Sequence, residues 1–147
     1  MNRPDLNQLD LVVRDMEATI AFYRALGVEI PESAIWRTAT GIHHVDLTMP
    51  SGLIVHFDSA ALAKVYDRGW REPSDTGTRN VLSFKVPSRE EVDRIHDRLT
   101  GLGHRSAQPP YDAFWGARYA IVEDPDGNHI GLMSASDPAR RRAPPEI

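Results

Sequence analysis

One pattern of residues occurs twice in this chain, and it constrains the fold more than any other feature. Residues 6–30 combine strand, cap, helix and glycine signals, and residues 80–104 repeat them in the same order. In the first copy, Leu9, Leu11 and Val13 recur at every second position, which is the period of a strand with two different faces. The repetition predicts two strand–helix units of the same design.

The helix of the first copy is predicted from its cap residue, its apolar spacing and its stop signal. Asp15 can accept a backbone hydrogen bond as the N-cap, and Gly27 can end the helix in the left-handed conformation. The apolar residues recur at helical spacing at Met16, Ile20, Tyr23 and Leu26.

The second copy carries the same signals with a helix about one turn longer. Its strand alternates at Leu82, Phe84 and Val86, and Ser88 followed by Glu91 forms a capping-box signature. The buried face of the helix is predicted to be Val92, Ile95, Leu99 and Leu102, with Gly103 as the stop.

Each half then ends on a predicted hairpin. In the first half, residues 44–49 lead through Pro50-Ser51-Gly52 into residues 53–58. In the second half, residues 118–122 lead through Asp124-Pro125-Asp126-Gly127 into residues 128–133. Proline presets φ and glycine permits positive φ, so both connections favour tight turns. Residues 59–67 predict a short helix, and residues 73–78 predict a linker.

These elements predict an α+β fold of two βαβββ modules in one chain. A curved mixed sheet packs one face on its helix, so the other face needs a partner or encloses a cavity, and two such units in one chain suggest a shared cleft. An ordinary α+β domain with halves alike by chance is the alternative. The predicted parts of this single domain are module one (about 6–58), a connector (about 59–79), module two (about 80–134) and a C-terminal tail (135–147).

The composition excludes several classes of site. The absence of cysteine excludes disulfides, thiolate metal sites and a cysteine nucleophile. A net charge of −4 gives the molecule no general attraction to nucleic acid, and the basic run 140–142 is interpreted as a solvated tail. No apolar run approaches a membrane span and the first residues do not resemble a signal peptide, so we expect a cytoplasmic protein with no membrane partner.

Two stretches resemble the vicinal oxygen chelate superfamily, the group of glyoxalases, bleomycin-resistance proteins and extradiol dioxygenases. Residues 9–18, with Phe22-Tyr23 and Leu26-Gly27, are similar to the opening module of that superfamily. Trp115-Gly116 and residues 122–128 are similar to its closing hairpin, particularly in the bleomycin-resistance branch. The resemblance covers about residues 6–134.

In metal-dependent members, one residue on the first strand and one on the last strand of each module hold a divalent ion. The resemblance places these positions at Gln8, His56, Val81 and Gly131, where the last is usually glutamate. Valine and glycine supply no side-chain ligand, so we predict no cofactor and no metal, with Gln8 and His56 as the fallback ligands if an ion is present. A rearranged site that uses His44 and His129 beside His56 stays open.

The same resemblance implies a cup-shaped pocket between the two curved mixed sheets, which would hold a small organic ligand. Flat aromatic walls with a few polar groups suit a planar or amphipathic molecule, although Trp36 and Trp115 can instead be core residues. Trp70 is expected to pin the connector to the body. The predicted ligand-binding residues are Gln8, Asp10, Trp36, His44, His56, Trp115, Tyr119, Ile121, His129 and Met133.

The expected function is therefore a metal-free binding protein that sequesters a partly aromatic metabolite or antibiotic, as in antibiotic resistance of the bleomycin-resistance type. The alternative is a lyase, isomerase or dioxygenase of the same superfamily, using a metal or acid–base chemistry by Asp10, His44 or His56. No catalytic residue is assigned, because the sequence has neither a Gly-x-Ser-x-Gly elbow nor a phosphate-binding glycine loop. The resemblance also implies a homodimer.

Overall fold

The computed structural model describes residues 3–74 and 77–146. The chain divides after Ser74 into two compact units, one for each predicted module. Among the described residues, no helix combines the length and the hydropathy needed to cross a membrane.

Module one is a four-stranded mixed sheet with a helix after its first strand and another after its last. Its elements are β1 (Gln8–Val13), α1 (Met16–Leu26), β2 (Ile35–Thr38), β3 (Gly41–Thr48), β4 (Ile54–Ser59) and α2 (Ala60–Tyr66). The strand order is β1-β4-β3-β2, in which β1 and β4 are parallel and the other pairs are antiparallel. A single 3₁₀ turn, Glu32–Ala34, precedes β2.

Module two repeats this arrangement strand for strand. Its elements are β5 (Val81–Lys85), α3 (Arg89–Gly101), β6 (Ser106–Asp112), β7 (Arg118–Glu123) and β8 (His129–Met133). The strand order is β5-β8-β7-β6, with β5 and β8 parallel and the other pairs antiparallel. The prediction of an α+β fold with two βαβββ units is confirmed.

The helices begin where the cap residues predict. The Asp15 carboxylate accepts a hydrogen bond of 3.0 Å from the Ala18 N–H, and Gly27 ends α1 with a φ of 117°. The Ser88 hydroxyl accepts a hydrogen bond of 3.2 Å from the Glu91 N–H. These caps satisfy backbone donors that the first turn of a helix cannot pair internally.

The end of α3 corrects one prediction. Leu102 was expected on the buried face, but α3 ends at Gly101 and Leu102 is 62% exposed. Gly103 then adopts a φ of 96° and donates its N–H to the Thr100 carbonyl at 3.0 Å. Because α3 ends at Gly101, one residue before Leu102, the helical spacing that buries Val92 and Leu99 does not extend to Leu102.

Strand bounds differ from the predictions by a few residues. β3 begins at Gly41, three residues before the predicted strand, because β2 pairs with its first residues. The turn at residues 124–127 forms as predicted, with Gly127 at a φ of 81° and its N–H 3.0 Å from the Asp124 carbonyl. The buried Asp124 carboxylate accepts further hydrogen bonds from the Asp126 and Asn128 N–H groups.

The connector and the tail are also partly as predicted. Residues 59–67 contain α2, capped by the Ser59 hydroxyl, whereas the predicted linker 73–78 includes two residues outside the described ranges. The tail is exposed but is not free: the Arg142 N–H donates to the Phe114 carbonyl at 2.8 Å, and its guanidinium donates to the Asp112 carbonyl. Residues 140–142 are exposed, as a solvated tail requires, and Arg142 in addition anchors the tail to residues 112 and 114.

One face of each sheet packs on a helix. In module one, Tyr23 of α1 stacks on Phe57 of β4 with ring centroids 4.8 Å apart, and Val45 is fully buried beside them. In module two, Val92 and Leu99 of α3 are fully buried. Since side chains alternate along a strand, the residues next to Val45 and Phe57 lie on the opposite face of the sheet.

Candidate functional site

Ionisable side chains gather on the face of module one that does not pack on α1, which we call the open face. Strand pairing places Asp46 of β3 opposite His56 of β4, and His44 opposite Asp58. On the other side of β4, Asp10 of β1 pairs with His56. Paired residues share a face, so three neighbouring strands bring these five side chains together.

The His56 imidazole lies between two carboxylates. Its Nδ1 is 2.8 Å from Asp10 Oδ1, and its Nε2 is 3.2 Å from Asp46 Oδ1. The Gln8 amide in turn donates to both carboxylate oxygens of Asp10 at 3.1 Å. The ring of His56 is 17% exposed, so it is oriented by its partners yet reachable from solvent.

The His44 imidazole is oriented by a buried carboxylate. Its Nδ1 is 2.6 Å from Asp58 Oδ1, and the Tyr66 hydroxyl donates to Asp58 Oδ2 at 2.7 Å. Asp58 is only 2% exposed, so these two partners offset the cost of burying its charge. Desolvation, followed by the hydrogen bond to Asp58, raises the pKa of Tyr66, which keeps this hydroxyl a donor at neutral pH.

Two cavities open on this face, and His44 lines both. The smaller, of about 230 Å³, lies over Gln8, Asp10 and His56 and reaches Asp58 and Tyr66. The larger, of about 610 Å³, is lined by Trp36, His44 and Asp46 and by Pro31, Ser33, Ala34 and Ile35. Trp36 is 51% exposed, so it is not a core residue.

In module two, an aromatic side chain fills the equivalent space. Ser83 pairs with Gly131 as Asp10 pairs with His56, so Gly131 is the counterpart of His56. A Cβ atom at position 131 would lie 2.5 Å from Ser83 Oγ and 2.7 Å from the Tyr119 hydroxyl. The Tyr119 ring therefore occupies the volume that a side chain at position 131 would need.

Other rings continue from Tyr119. Its centroid is 5.5 Å from that of Trp115 and 6.2 Å from that of Tyr111, and Phe114 meets Trp115 edge-on at 5.2 Å. Met133 and Ile121 lie at the neighbouring strand positions, opposite Tyr119 and Gly131 respectively. His129 Nε2 lies 3.6 Å from Glu123 Oε1. The predicted residues of module two thus belong to an aromatic and apolar surface with one imidazole at its end.

The four inherited metal positions do not fit an ion. Val81 and Gly131 offer no side-chain donor atom, and a longer side chain at position 131 would have to displace Ser83 Oγ and the Tyr119 hydroxyl. Gln8 and His56 line the same cavity, but the Gln8 amide nitrogen is turned to Asp10, which lies against His56. The Asp10 carboxylate therefore lies between Gln8 and His56, the two ligands expected if an ion is present.

Asp46, Asp58 and Tyr66 complete the site but are not among the predicted ligand-binding residues. Asp46 alternates with His44 and Asp58 alternates with His56, so a period of two could have found both carboxylates. Tyr66 reaches Asp58 only because α2 folds back on the sheet, and no local sequence pattern indicates that contact.

Comparisons with known proteins agree with this architecture. The chain matches the sequence model of the Glyoxalase/Bleomycin resistance protein/Dioxygenase superfamily over residues 5–132. A search of curated proteins finds no significant match.

Solved structures share the fold. A glyoxalase/bleomycin resistance protein/dioxygenase family enzyme from Burkholderia phytofirmans PsJN is 22% identical, with a TM-score of 0.72 over 89% of this chain and 98% of that one. A glyoxalase-related enzyme from Fulvimarina pelagi is 20% identical, with a TM-score of 0.72 over 89% and 88%. A hypothetical protein from S. aureus is 21% identical, with a TM-score of 0.70 over 92% and 96%. With its two βαβββ modules and a family match over most of its length, this chain belongs to the glyoxalase/bleomycin resistance protein/dioxygenase superfamily.

Proposed function

We propose that this protein binds a small, partly aromatic organic molecule and holds it without changing it chemically. The observation that carries the proposal is Trp36, a residue that is 51% exposed at the edge of a polar surface. An exposed tryptophan beside polar groups is a common platform for a flat ligand, because it offers a large rigid surface at low cost in side-chain entropy.

The larger cavity beside Trp36 has a suitable size and lining. Its volume of about 610 Å³ lies within the range of roughly 300–1,000 Å³ that is usual for small-molecule sites. Ile35 and Trp36 supply apolar surface, and His44 and Asp46 supply polar atoms. A ligand with an aromatic end and a hydrogen-bonding end would use both parts.

The charges on the open face favour a cationic ligand. Asp10, Asp46 and Asp58 bring three carboxylates to this face, against two imidazoles. Electrostatic complementarity selects among ligands of similar shape, so an amine should be preferred over a carboxylate. We therefore propose an aromatic amine, or an antibiotic that contains such a group, as the ligand class.

Nuclear magnetic resonance of labelled protein tests this proposal, because the chain has three tryptophans and thus three indole N–H signals. The probes are bleomycin and a matched pair, 2-phenylethylamine and phenylacetate. We expect the Trp36 signal to shift with the amine and with bleomycin, and to respond much less to phenylacetate. Trp36→Phe should weaken binding about fivefold, in line with the value of an aromatic contact.

Trp70→Phe is the matched control, since Trp70 lies against Lys64 of α2 and outside the larger cavity. This variant should bind the amine like the unmodified protein. A Trp36 signal that ignores every probe would refute the proposal. Conversion of a probe into a product would replace it with the enzymatic alternative.

A further inference from the structure

We infer that His44, Asp46 and His56 form a binding site for one divalent first-row transition-metal ion, contained within module one. One donor atom from each of the three residues lies within 4.8 Å of the other two. The site shares only His56 with the four inherited positions. It shares His44 and Asp46 with the larger cavity of the proposed organic-ligand site, but its test needs no organic ligand.

The spacing of two donors already fits an ion. His56 Nε2 and Asp46 Oδ1 are 3.2 Å apart. Two donors that each lie about 2.1 Å from one ion stand about 3.0–3.4 Å apart in octahedral or tetrahedral geometry. The third donor comes from His44, whose ring centroid is 4.6 Å from that of His56.

The partners of the two imidazoles are the stronger argument. In metal sites, a ligating histidine almost always gives its other ring nitrogen to a carboxylate or carbonyl, which fixes the ring and raises its basicity. Here Asp10 holds Nδ1 of His56, and Asp58 holds Nδ1 of His44. Both rings are thus left with Nε2 as the nitrogen for an ion.

These outer carboxylates are themselves fixed. The Gln8 amide holds Asp10, and the Tyr66 hydroxyl holds Asp58. Such a second layer of hydrogen bonds is what keeps ligating imidazoles in place before the ion arrives. The same face also carries more carboxylates than imidazoles, and a divalent cation would offset that excess of negative charge.

The donor set indicates the class of ion. Two imidazoles and one carboxylate, in a chain without cysteine, suit Zn²⁺, Co²⁺, Ni²⁺ or Fe²⁺ and are poor ligands for Mg²⁺ or Ca²⁺. Three protein donors leave at least one coordination position for water. The prediction of a metal-free protein rested on Val81 and Gly131, and neither residue takes part in this set.

Metal titration tests the inference directly. Protein prepared without a histidine tag and stripped with a chelator is titrated with Co²⁺, followed by visible absorption, and with Zn²⁺, followed by calorimetry. We expect one ion per chain with micromolar or tighter affinity. His44→Asn, His56→Asn and Asp46→Asn should each weaken binding at least about tenfold, because even outer partners of metal ligands contribute that much.

His43→Asn is the matched control. His43 is adjacent in sequence but points away from the open face, with Nδ1 2.8 Å from Ser59 Oγ and Nε2 2.7 Å from Thr40 Oγ1. Its replacement should leave the affinity unchanged. Asp46→Asn guards against a folding artefact, since the Asp46 side chain is 63% exposed and its loss should not alter thermal unfolding.

The absence of Co²⁺ and Zn²⁺ binding at micromolar concentrations would overturn the inference. Equal losses in His43→Asn and His44→Asn would also overturn it, because they would indicate adventitious binding to surface imidazoles. Titration of the chelator-stripped protein with 2-phenylethylamine tests the organic-ligand site separately from the metal site. A shift of the Trp36 signal there would support the organic-ligand site whether or not metal binds.

Discussion

The sheets of the two modules share strand order and pairing, but their open faces carry different side chains. Where module one has His56 beside Asp10, module two has Gly131 beside Ser83. His44, which pairs with Asp58 in module one, corresponds to Tyr119, which pairs with Met133. One face is ionisable and hydrogen-bonded, and the other is aromatic and apolar.

The difference shows that duplication of a fold need not duplicate its site. The metal site that the resemblance implies takes one pair of ligands from each module, and module two has Val81 and Gly131 at its two positions. In module one, the two imidazoles are still held by carboxylates. The polar chemistry of this protein is therefore concentrated in module one.

The largest effect should follow from restoring the inherited residue, Gly131→Glu. The new Cβ would overlap Ser83 Oγ and the Tyr119 hydroxyl, and a carboxylate would enter a buried position. Displacement of these two side chains, together with burial of a carboxylate, should cost about 3 kcal/mol of unfolding free energy. The measurement is the denaturant midpoint, and an unchanged midpoint would show that module two can still accommodate a ligand side chain.

Gly101→Glu controls for the substitution itself, because no heavy atom lies within 4 Å of a Cβ built at that glycine. It should change stability by less than about 1 kcal/mol. Tyr119→Ala should recover part of the loss caused by Gly131→Glu, since it removes the ring from the same volume. If the double variant is no more stable than Gly131→Glu, the Tyr119 ring is not the obstacle.

An intermediate effect is expected from Asp58→Asn in module one. This buried carboxylate accepts a hydrogen bond from the Tyr66 hydroxyl and contacts the His44 imidazole with its other oxygen. The asparagine amide has only one oxygen, so its NH₂ group would face one of these two partners. We expect a loss of about 2 kcal/mol in chemical denaturation, which is typical for a buried charged hydrogen-bond partner. Asp46→Asn, at an exposed carboxylate of the same face, should cost less than about 0.5 kcal/mol. Equal losses for the two variants would mean that burial does not distinguish them.

Local signals were enough to predict the repeated architecture. Asp15, Gly27 and Ser88 act through hydrogen bonds to residues a few positions away, so their roles are visible in the sequence. The lack of a ligand side chain at Gly131 was equally visible, because it depends only on the identity of that residue. Helix ends were less predictable, since the apolar spacing extends to Leu102 although α3 ends before it.

The parts of the site that join distant segments could not be predicted. The contact between Tyr66 and Asp58 depends on how α2 packs against β4. That Tyr119 fills the space beside Gly131 depends on its rotamer and on the register of β7. His44 and His56 were predicted to line the pocket, and the period of two places carboxylates on the same face, but which carboxylate contacts which imidazole depends on the strand pairing.

The smallest effect is expected from Tyr66→Phe, which removes one of the two partners of Asp58. We expect a loss of about 1 kcal/mol at neutral pH, the usual net value of one hydrogen bond, measured by denaturant unfolding. The loss should depend on pH because folding raises the pKa of Tyr66, first by desolvation and then through Asp58. Because the pKa is raised on folding, the hydroxyl contributes its full share of the unfolding free energy below the unfolded pKa of about 10. That contribution falls as the pH increases beyond this value.

Tyrosinate absorbance provides the matching spectroscopic test. Tyr66 should ionise late in the folded protein, so the absorbance change at high pH should lose the amplitude of one tyrosine in Tyr66→Phe. A late step whose amplitude is unchanged in Tyr66→Phe would assign the raised pKa to another ring. Module one would then lack the donor that holds Asp58, and its contrast with module two would depend on the imidazole–carboxylate pairs alone.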